Sequence, residues 1–221
     1  MIVLALTCST AKATVGLYSE TETLIEKFSD NPKRHSEFLN QAIENCLNEK
    51  NISWSQIDVI AVDHGPGSFT GIRVACNIAR ALCYSLEKPV FHTHSLNILL
   101  QSSHPGKDRL ALLNAYKNMV FFNSEVGGNI SSPEVAQASD LQSKIQGLFS
   151  LPVPCVGEGY SVYQQVLGPS FQEIPGSDRY PEASALAQLA QLHKNEWTKD
   201  WKLIIPLYIR ASAAEENKEI F

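Results

Sequence analysis

The sequence predicts an α/β protein with two related halves, each built around a partly parallel sheet. The run from Ile57 to Val62 is short, apolar and β-branched, which is typical of a parallel strand buried on both faces. A glycine-rich turn follows at 65–71, and apolar residues up to Leu86 then recur at helical spacing. The element order β-β-β-α-β-α-β-α is predicted before residue 104, and a similar order recurs after it.

The first half is expected to contain five strands and three helices. The strands are predicted at 2–6, 14–18, 24–28, 57–62 and 89–93. The helices are predicted at about 32–49, opened by Asn31 and Pro32, at 71–86 and at 95–103. Ser53 with Gln56 resembles a capping box for a short turn before the central strand.

The second half begins after a break at 104–107, so the predicted lobes are 1–104 and 105–221. Strands are expected at 109–114, 119–126 and 153–156. Helices are expected at 139–149, at 160–167 and from Pro181 onward. The last segment, which includes 204–209 and a charged tail at 214–219, is expected to pack back on the first lobe.

Composition excludes several classes of protein. The chain has 221 residues, a net charge of −5 and 19% charged residues, which argues against gripping nucleic acid through phosphates unaided. The opening run MIVLALTCST predicts a first strand rather than a signal peptide, and no apolar run approaches the roughly 20 residues that span a bilayer. The widely spaced cysteines predict buried free thiols in a reducing, cytoplasmic compartment; they are Cys8, Cys46, Cys76, Cys83 and Cys155.

The glycine turn allows two interpretations. A glycine loop that opens onto a helix suits phosphate, because free N–H groups and the helix dipole favour an anion. The alternative is a turn that lets the helix pack tightly on its strand. The P-loop motif does not fit, since Ile72 and Arg73 follow Gly71, and Ser68 does not occupy the nucleophile position of Gly-x-Ser-x-Gly.

The helix after the turn has a wider apolar arc than one sheet requires. A narrow polar stripe is formed by Arg73, Asn77, Arg80 and Tyr84, and most of the remaining circumference is apolar or small. Something besides the sheet is therefore expected to cover this helix. The cover is either a neighbouring helix of the same chain or a helix of another subunit.

Catalytic and metal sites find little support. His35 lacks the second histidine of H-E-x-x-H, and His92 and His94 share a strand face without an evident third ligand, so no metal site is predicted. Asp63 and His64 stand at the carboxyl end of the central strand, where α/β sheets place ligands, and Glu158 lies between glycines. The segment 6–10 after the first strand lacks the carboxylate that a kinase- or ATPase-like site requires.

The segment from Asp63 to Val74 resembles the signature of the bacterial TsaB (YeaZ) family, R-G-P-G-S-F-T-G-[IL]-R-[IV]. The matching residues are Gly65, Pro66, Gly67, Ser68, Phe69, Thr70, Gly71, Ile72 and Arg73. Other pieces agree in order, namely Arg34 to Glu37, Gly157 to Gly159, Pro181 with Ala183, and Leu207 to Arg210. The resemblance spans nearly the whole chain.

The resemblance implies a two-lobed actin-like ATPase (ASKHA, ribonuclease-H-like) fold, compatible with the duplicated βββαβαβα order. It also implies a non-catalytic paralogue of TsaD that, with the ATPase TsaE, supports threonylcarbamoylation of adenosine 37 in tRNAs reading codons that begin with A. No cofactor is expected, with ATP or ADP restricted to the assembled complex. The implied contacts with TsaD are Phe38, Leu39, Ala42, Ile43, Ile72, Ala75, Cys76, Ala79, Leu82 and Cys83.

Two departures from the family remove charge from the expected cleft. Thr7 replaces the aspartate that usually ends the first strand, and Asn114-Ala115-Tyr116 replaces an Asp-Ala-Arg turn. Nucleotide chemistry by this chain alone becomes less favoured. Two alternatives remain open: a nucleotide hydrolase or metallopeptidase-like enzyme of the same fold, and a protein that pairs with itself through the same helices.

Overall fold

The computed structural model describes residues 1–31, 35–103 and 107–210, which form two β-sheets with helices packed on them. Several predictions lie outside these residues, namely those for Pro32 and Arg34, for the break at 104–106 and for the tail at 214–219. The division into lobes at residue 104 therefore stays a prediction.

The first sheet has five strands in the order β3-β2-β1-β4-β5. They are β1 (Val3–Thr7), β2 (Ala13–Tyr18), β3 (Thr23–Ser29), β4 (Val59–Asp63) and β5 (Val90–Thr93). Strand β1 pairs antiparallel with β2 and parallel with β4, and β4 pairs parallel with β5. The predicted parallel central strand is confirmed, and the carboxyl ends of β1, β4 and β5 meet at one edge.

The second sheet repeats this arrangement. Its strands are β6 (Arg109–Asn114), β7 (Met119–Val126), β8 (Asn129–Ile130), β9 (Glu134–Gln137), β10 (Val153–Val156) and β11 (Phe171–Glu173). Strand β6 pairs antiparallel with β7 and parallel with β10, while β9 adds to β7 and β11 adds to β10. The order β9-β7-β6-β10-β11 matches that of the first sheet, which confirms the predicted duplication.

Six α-helices occur among the described residues. They are α1 (His35–Lys50), α2 (Phe69–Leu86), α3 (Ser95–Ser102), α4 (Leu141–Lys144), α5 (Glu158–Leu167) and α6 (Ala183–Leu192). The helix predicted at 139–149 is wrong in length, because α4 ends at Lys144 and Gly147 adopts a positive φ of 81°. The predicted turn at 53–56 is confirmed, since the Gln56 side chain accepts from the Ser53 N–H.

Strand residues alternate between two separate cores. Leu4 and Leu6 pack with α1 and α2 on one face of the first sheet, whereas Val3 and Ala5 pack with α6 on the other. Helix α3 lies between the two sheets, because Ile98 packs with the first sheet and Leu99 with the second. All five cysteines are buried and free, as predicted.

Candidate functional site

The glycine turn between β4 and α2 is packed against the backbone that follows β1. A Cβ added to Gly67 would lie 2.0 Å from the Ser9 carbonyl oxygen, and one added to Gly71 would lie 1.8 Å from that of Cys8. The Ser68 N–H donates to the Ser9 carbonyl at 2.6 Å. Glycine is therefore required for close packing. Carbonyl oxygens face the turn where an anion would need donors, so the geometry favours the packing interpretation over phosphate binding.

The start of α2 is capped within the turn and covered by residues near the C-terminus. The Ser68 hydroxyl accepts from the Gly71 N–H at 3.3 Å. Gly65 has a φ of +102°, and a Cβ there would lie 3.1 Å from the Leu207 carbonyl oxygen. Pro66 is buried and Thr70 is exposed. The tight glycine turn predicted from the sequence is therefore enclosed on two sides by backbone.

Residues 204–210 form a C-terminal strap over this turn. The Leu207 N–H donates to the His64 carbonyl at 2.8 Å, and His64 Nδ1 lies 3.0 Å from the Ile205 carbonyl. The ring centroids of Tyr208 and Phe69 are 4.7 Å apart. The strap therefore completes the surroundings of the turn from a distant part of the chain.

Asp63 is the buried polar centre of the turn. Its carboxylate accepts from the Ser9 hydroxyl at 2.5 Å, the Ser95 hydroxyl at 2.6 Å and the Gly65 N–H at 2.9 Å. Burial raises the pKa of Asp63 to about 6, against the opposing effect of these hydrogen bonds. Sequence reasoning missed Ser9 and Ser95 as its partners. A signal was present, since both serines follow strands β1 and β5, the neighbours of β4.

Three histidines cluster beside the turn. The His64 ring stacks on His94 with centroids 4.8 Å apart, and it meets His92 edge-on at 5.0 Å. Burial lowers the pKa of all three rings, and neighbouring imidazoles add to the effect at His94, whose pKa falls to about 4. Within residues 1–31, 35–103 and 107–210, no group of three histidine, cysteine or acidic side chains is arranged to hold a metal ion.

The end of β1 carries a neutral hydrogen-bond network. The Thr7 hydroxyl lies 3.0 Å from that of Thr14 and donates to the Pro181 carbonyl at 3.0 Å. The Thr14 hydroxyl in turn accepts from the Ala183 N–H at 2.8 Å, which satisfies a donor at the start of α6. The place where an actin-like enzyme needs a carboxylate is thus filled by uncharged, paired groups.

The corresponding turn of the second sheet is a strained hairpin between β6 and β7. Tyr116, Lys117 and Asn118 have φ of 59°, 49° and 61°, a left-handed conformation that costs about 1–2 kcal/mol per residue. Asn114 supports the turn, because its side-chain oxygen accepts from the Tyr116 N–H at 2.8 Å. Arg210 of the strap donates to the Tyr116 carbonyl at 3.1 Å. The strap thus contacts both halves.

Glu158 occupies the start of α5, in the second glycine turn. A Cβ added to Gly157 would lie 2.3 Å from the Leu112 carbonyl oxygen, so this turn is also packed against a strand. Glu158 is half-buried, which raises its pKa above the usual value. No ligand role follows from this placement alone.

Most of the residues expected to contact a partner lie inside the chain's own core. Eight are at most 3% exposed: Leu39, Ala42, Ile43, Ile72, Ala75, Cys76, Ala79 and Cys83. Phe38 and Leu82 are only half-buried and pack at the edge of the same core. The wide apolar arc of α2 is covered by α1 and by Trp201 and Ile204. That these two helices dock on a partner stays a prediction, but it requires their other, exposed faces.

The exposed face of α2 carries an aromatic and basic surface. Tyr84 is 70% exposed, and its ring lies 5.7 Å from that of Trp201. The Arg80 guanidinium and the Lys202 ammonium lie over the Trp201 ring at 5.4 and 5.8 Å. Ala81 is exposed beside them. Sequence reasoning found this stripe but not Trp201, because a distant segment supplies it.

Comparison with known proteins identifies the family. The chain is 28% identical to the tRNA threonylcarbamoyladenosine biosynthesis protein TsaB of Haemophilus influenzae, over 95% of this chain and 94% of that protein. It is also 28% identical to a tRNA N6-adenosine threonylcarbamoyltransferase of Staphylococcus haemolyticus, over 55% of this chain but 38% of the transferase. The family model described as TsaD, tRNA N6-adenosine threonylcarbamoyltransferase, matches residues 29–218. The chain belongs to the TsaD family and is one of its TsaB (YeaZ) members.

Structural comparison establishes the fold of this TsaB member. A crystal structure described as an uncharacterized protein with similarity to peptidase YEAZ from Pseudomonas aeruginosa superposes with a TM-score of 0.80, at 23% identity. The superposition covers 95% of this chain and 99% of that one. The predicted two-lobed actin-like fold is confirmed. None of the described helices of this TsaB chain has the length and hydropathy needed to cross a bilayer.

Proposed function

We propose that this TsaB-family chain serves tRNA threonylcarbamoyladenosine biosynthesis as a non-catalytic partner of a TsaD-type transferase. Its similarity to the Haemophilus influenzae TsaB protein over nearly the full length of both chains carries the proposal. The proposed setting is the cytoplasm. A TsaE-type ATPase is proposed as the third component, with nucleotide bound only by the assembled complex.

The first sheet supports a non-catalytic role. The carboxylate expected of an actin-like enzyme at the end of β1 is replaced by Thr7, which is paired with Thr14 and Pro181. The glycine turn faces the carbonyl oxygens of Cys8 and Ser9 rather than open space. The hydrolase or metallopeptidase hypothesis would need metal or nucleotide bound to the chain alone, and the site offers less to either ligand.

The proposed docking surface is the exposed face of α2 together with Trp201. It presents two accessible aromatic rings and the Arg80 guanidinium, which lies over the Trp201 ring, and aromatic residues and arginine are enriched at interfaces. It is defined by Asn77, Arg80, Ala81, Tyr84 and Trp201. The same surface could also pair two copies of this chain when the transferase is absent.

Size-exclusion chromatography with light scattering tests the proposal, using this chain alone and mixed with TsaD from the same organism. A one-to-one heterodimer that replaces any homodimer is expected. Ala81→Arg places a charged side chain in the docking surface without touching the core and is expected to weaken pairing by at least tenfold. Ala79 is unsuitable for this test, because it is fully buried and its replacement would report on folding.

The matched control is Val162→Arg, which adds the same side chain at an exposed position on α5 that is 50% accessible. It is expected to leave pairing unchanged. Pairing by folded Ala81→Arg at the unmodified affinity would overturn the docking surface. Failure of the unmodified chain to bind TsaD, even with TsaE and ATP added, would overturn the partner role. Titration calorimetry with ATP, Mg²⁺ and Zn²⁺ then tests the enzymatic alternative.

A further inference from the structure

We propose that this chain makes its own contact with tRNA through a patch where the strap meets both halves, an inference that rests on the proposed function. The patch combines three aromatic and three cationic side chains and is called the strap patch. It consists of Phe69, Arg73, Tyr116, Lys117, Tyr208 and Arg210. It lies apart from the docking surface, which uses later turns of α2.

One half of the strap patch is a stacked cluster at the start of α2. The Arg73 guanidinium lies 3.8 Å above the Phe69 ring, and its Nε donates to the Tyr208 hydroxyl at 2.6 Å. The Tyr208 side chain remains 42% exposed, and Arg73 is exposed as well. Guanidinium and ring planes held in this way form a preordered platform that an unpaired base can extend by stacking.

The other half is the hairpin between β6 and β7. Arg210 lies two residues beyond Tyr208, so their Cα atoms are within about 8 Å, and it donates to the carbonyls of Ala115 and Tyr116. The Tyr116 ring is 69% exposed and Lys117 is exposed beside it. Both residues adopt the left-handed conformation that glycine or asparagine would take with less strain. The hairpin therefore presents a ring and a charged side chain at its exposed tip.

The charge of the strap patch is opposite to that of the protein. The chain carries a net charge of −5, whereas the patch concentrates three cations. Among the described residues, Glu158 is an acidic neighbour at this end: it raises the pKa of the nearby Tyr163 hydroxyl whereas Arg210 lowers it, and Glu158 is itself half-buried with a raised pKa. A phosphate backbone with accessible bases matches cations interleaved with rings. An acidic protein segment would satisfy the cations but would leave the stacking surfaces unused.

The test uses the double variant Tyr116→Asn with Lys117→Asn. Asparagine tolerates the left-handed conformation, so the variant removes the ring and the charge while it preserves the hairpin. Binding of unmodified transcribed tRNA that reads codons beginning with A is measured by filter binding at several salt concentrations. The chain alone is assayed at low salt, and the chain paired with TsaD at higher salt. The control is Lys144→Asn, an exposed lysine of α4 outside the patch.

We expect the double variant to lower tRNA affinity roughly tenfold and to reduce the slope of log K against log salt by about 0.7–0.9 for the lost phosphate contact. The control variant should bind tRNA with the unmodified affinity and should pair with TsaD as the unmodified chain does. Unaltered tRNA affinity and slope in the double variant would overturn the proposal. Loss of pairing with TsaD would also overturn it, by assigning the patch to a protein contact. If the unmodified chain fails to pair, the assay on the chain alone still decides the tRNA contact.

Discussion

The two glycine turns occupy equivalent places in the duplicated fold, yet their surroundings differ. Each follows a parallel strand and leads into a helix, and each presses on the first strand of its sheet or on the residues just after it. In the first turn Gly71 meets the Cys8 carbonyl, and in the second Gly159 meets the backbone of Leu112 and Leu113. The shared demand is close helix-to-strand packing, which only glycine permits.

The difference lies in what surrounds each turn. The first turn holds the fully buried Asp63 and is covered by the strap, whereas the second carries the half-buried Glu158 at the start of its helix. A conserved topology therefore does not determine chemistry, because each half adds its own polar groups. The close contacts of the first turn hold the start of α2, the helix whose outer face is proposed to dock.

The largest expected effect concerns the glycines themselves. In Gly71→Ala the new Cβ would lie 1.8 Å from a backbone oxygen, so α2 must shift and the free energy of unfolding should fall by about 3 kcal/mol or more. In Gly159→Ala the nearest atom is at 2.8 Å, and a loss of about 1–2 kcal/mol is expected. Urea denaturation of both variants measures the difference.

The control for both variants is Gly128→Asn, at a loop position where a Cβ would meet nothing within 4 Å and where asparagine accepts the positive φ. Its unfolding free energy should stay within about 1 kcal/mol of the unmodified value. Equal losses for Gly71→Ala and Gly159→Ala would show that the two turns are not packed differently.

The next effect is the pH dependence that the buried carboxyl confers. The pKa of Asp63 is raised from 3.8 to about 6, so its burial is tolerated best when it is protonated, below pH 4, and that stabilisation is lost as pH rises towards 6. Relative to the unmodified protein, Asp63→Asn should gain about 2 kcal/mol in unfolding free energy between pH 4 and pH 7. Denaturation series at pH 4, 5, 6 and 7 measure this change.

Glu158→Gln sharpens the comparison of the turns. Burial also raises the pKa of Glu158, so Glu158→Gln should likewise gain unfolding free energy relative to the unmodified protein as pH rises. The gain should be smaller than for Asp63→Asn, because the Glu158 side chain is only half-buried. If the difference in unfolding free energy between Asp63→Asn and the unmodified protein did not change with pH, Asp63 would not be the source of the pH dependence. The exposed Asp140→Asn variant serves as the control.

The smallest effect concerns the hydrogen-bond network at the end of β1. Thr14→Val removes the acceptor of the Ala183 N–H at the start of α6 and should cost about 1–2 kcal/mol. Thr14→Ser retains a hydroxyl and should recover most of that loss. Thermal unfolding compares the pair, and equal melting temperatures for Val and Ser variants would rule out the hydrogen bond as the source of stability.

The sequence predicted the order of the elements along the chain well, but it did not predict which distant segments come into contact. Apolar runs and glycine punctuation predicted the α/β class, the duplication and the turn at 65–71, because these features depend on neighbours in the chain. Strands β9 and β11 were missed, since four and three residues carry too little pattern. The helix predicted at 139–149 was too long, because a few apolar residues after Lys144 mimic helical spacing.

The candidate site shows the same limit. Asp63 was singled out by its position after β4, but Ser9 and Ser95 bind it from 54 and 32 residues away. The strap returns from 141 residues beyond His64. Helical periodicity also showed that α2 has a wide apolar arc without showing what covers it. Side chains such as Ala79 were therefore expected at a partner surface, although the same chain buries them.

Helix α3 has a consequence for how the protein unfolds. Ile98 belongs to the core of the first sheet and Leu99 to that of the second, while Ser95 at its start holds Asp63. Neither sheet can lose its packing without exposing part of this helix to water, so the two halves share one cooperative transition. The slowest amide hydrogen exchange in the molecule should accordingly extend across both sheets, joined through eight residues of helix.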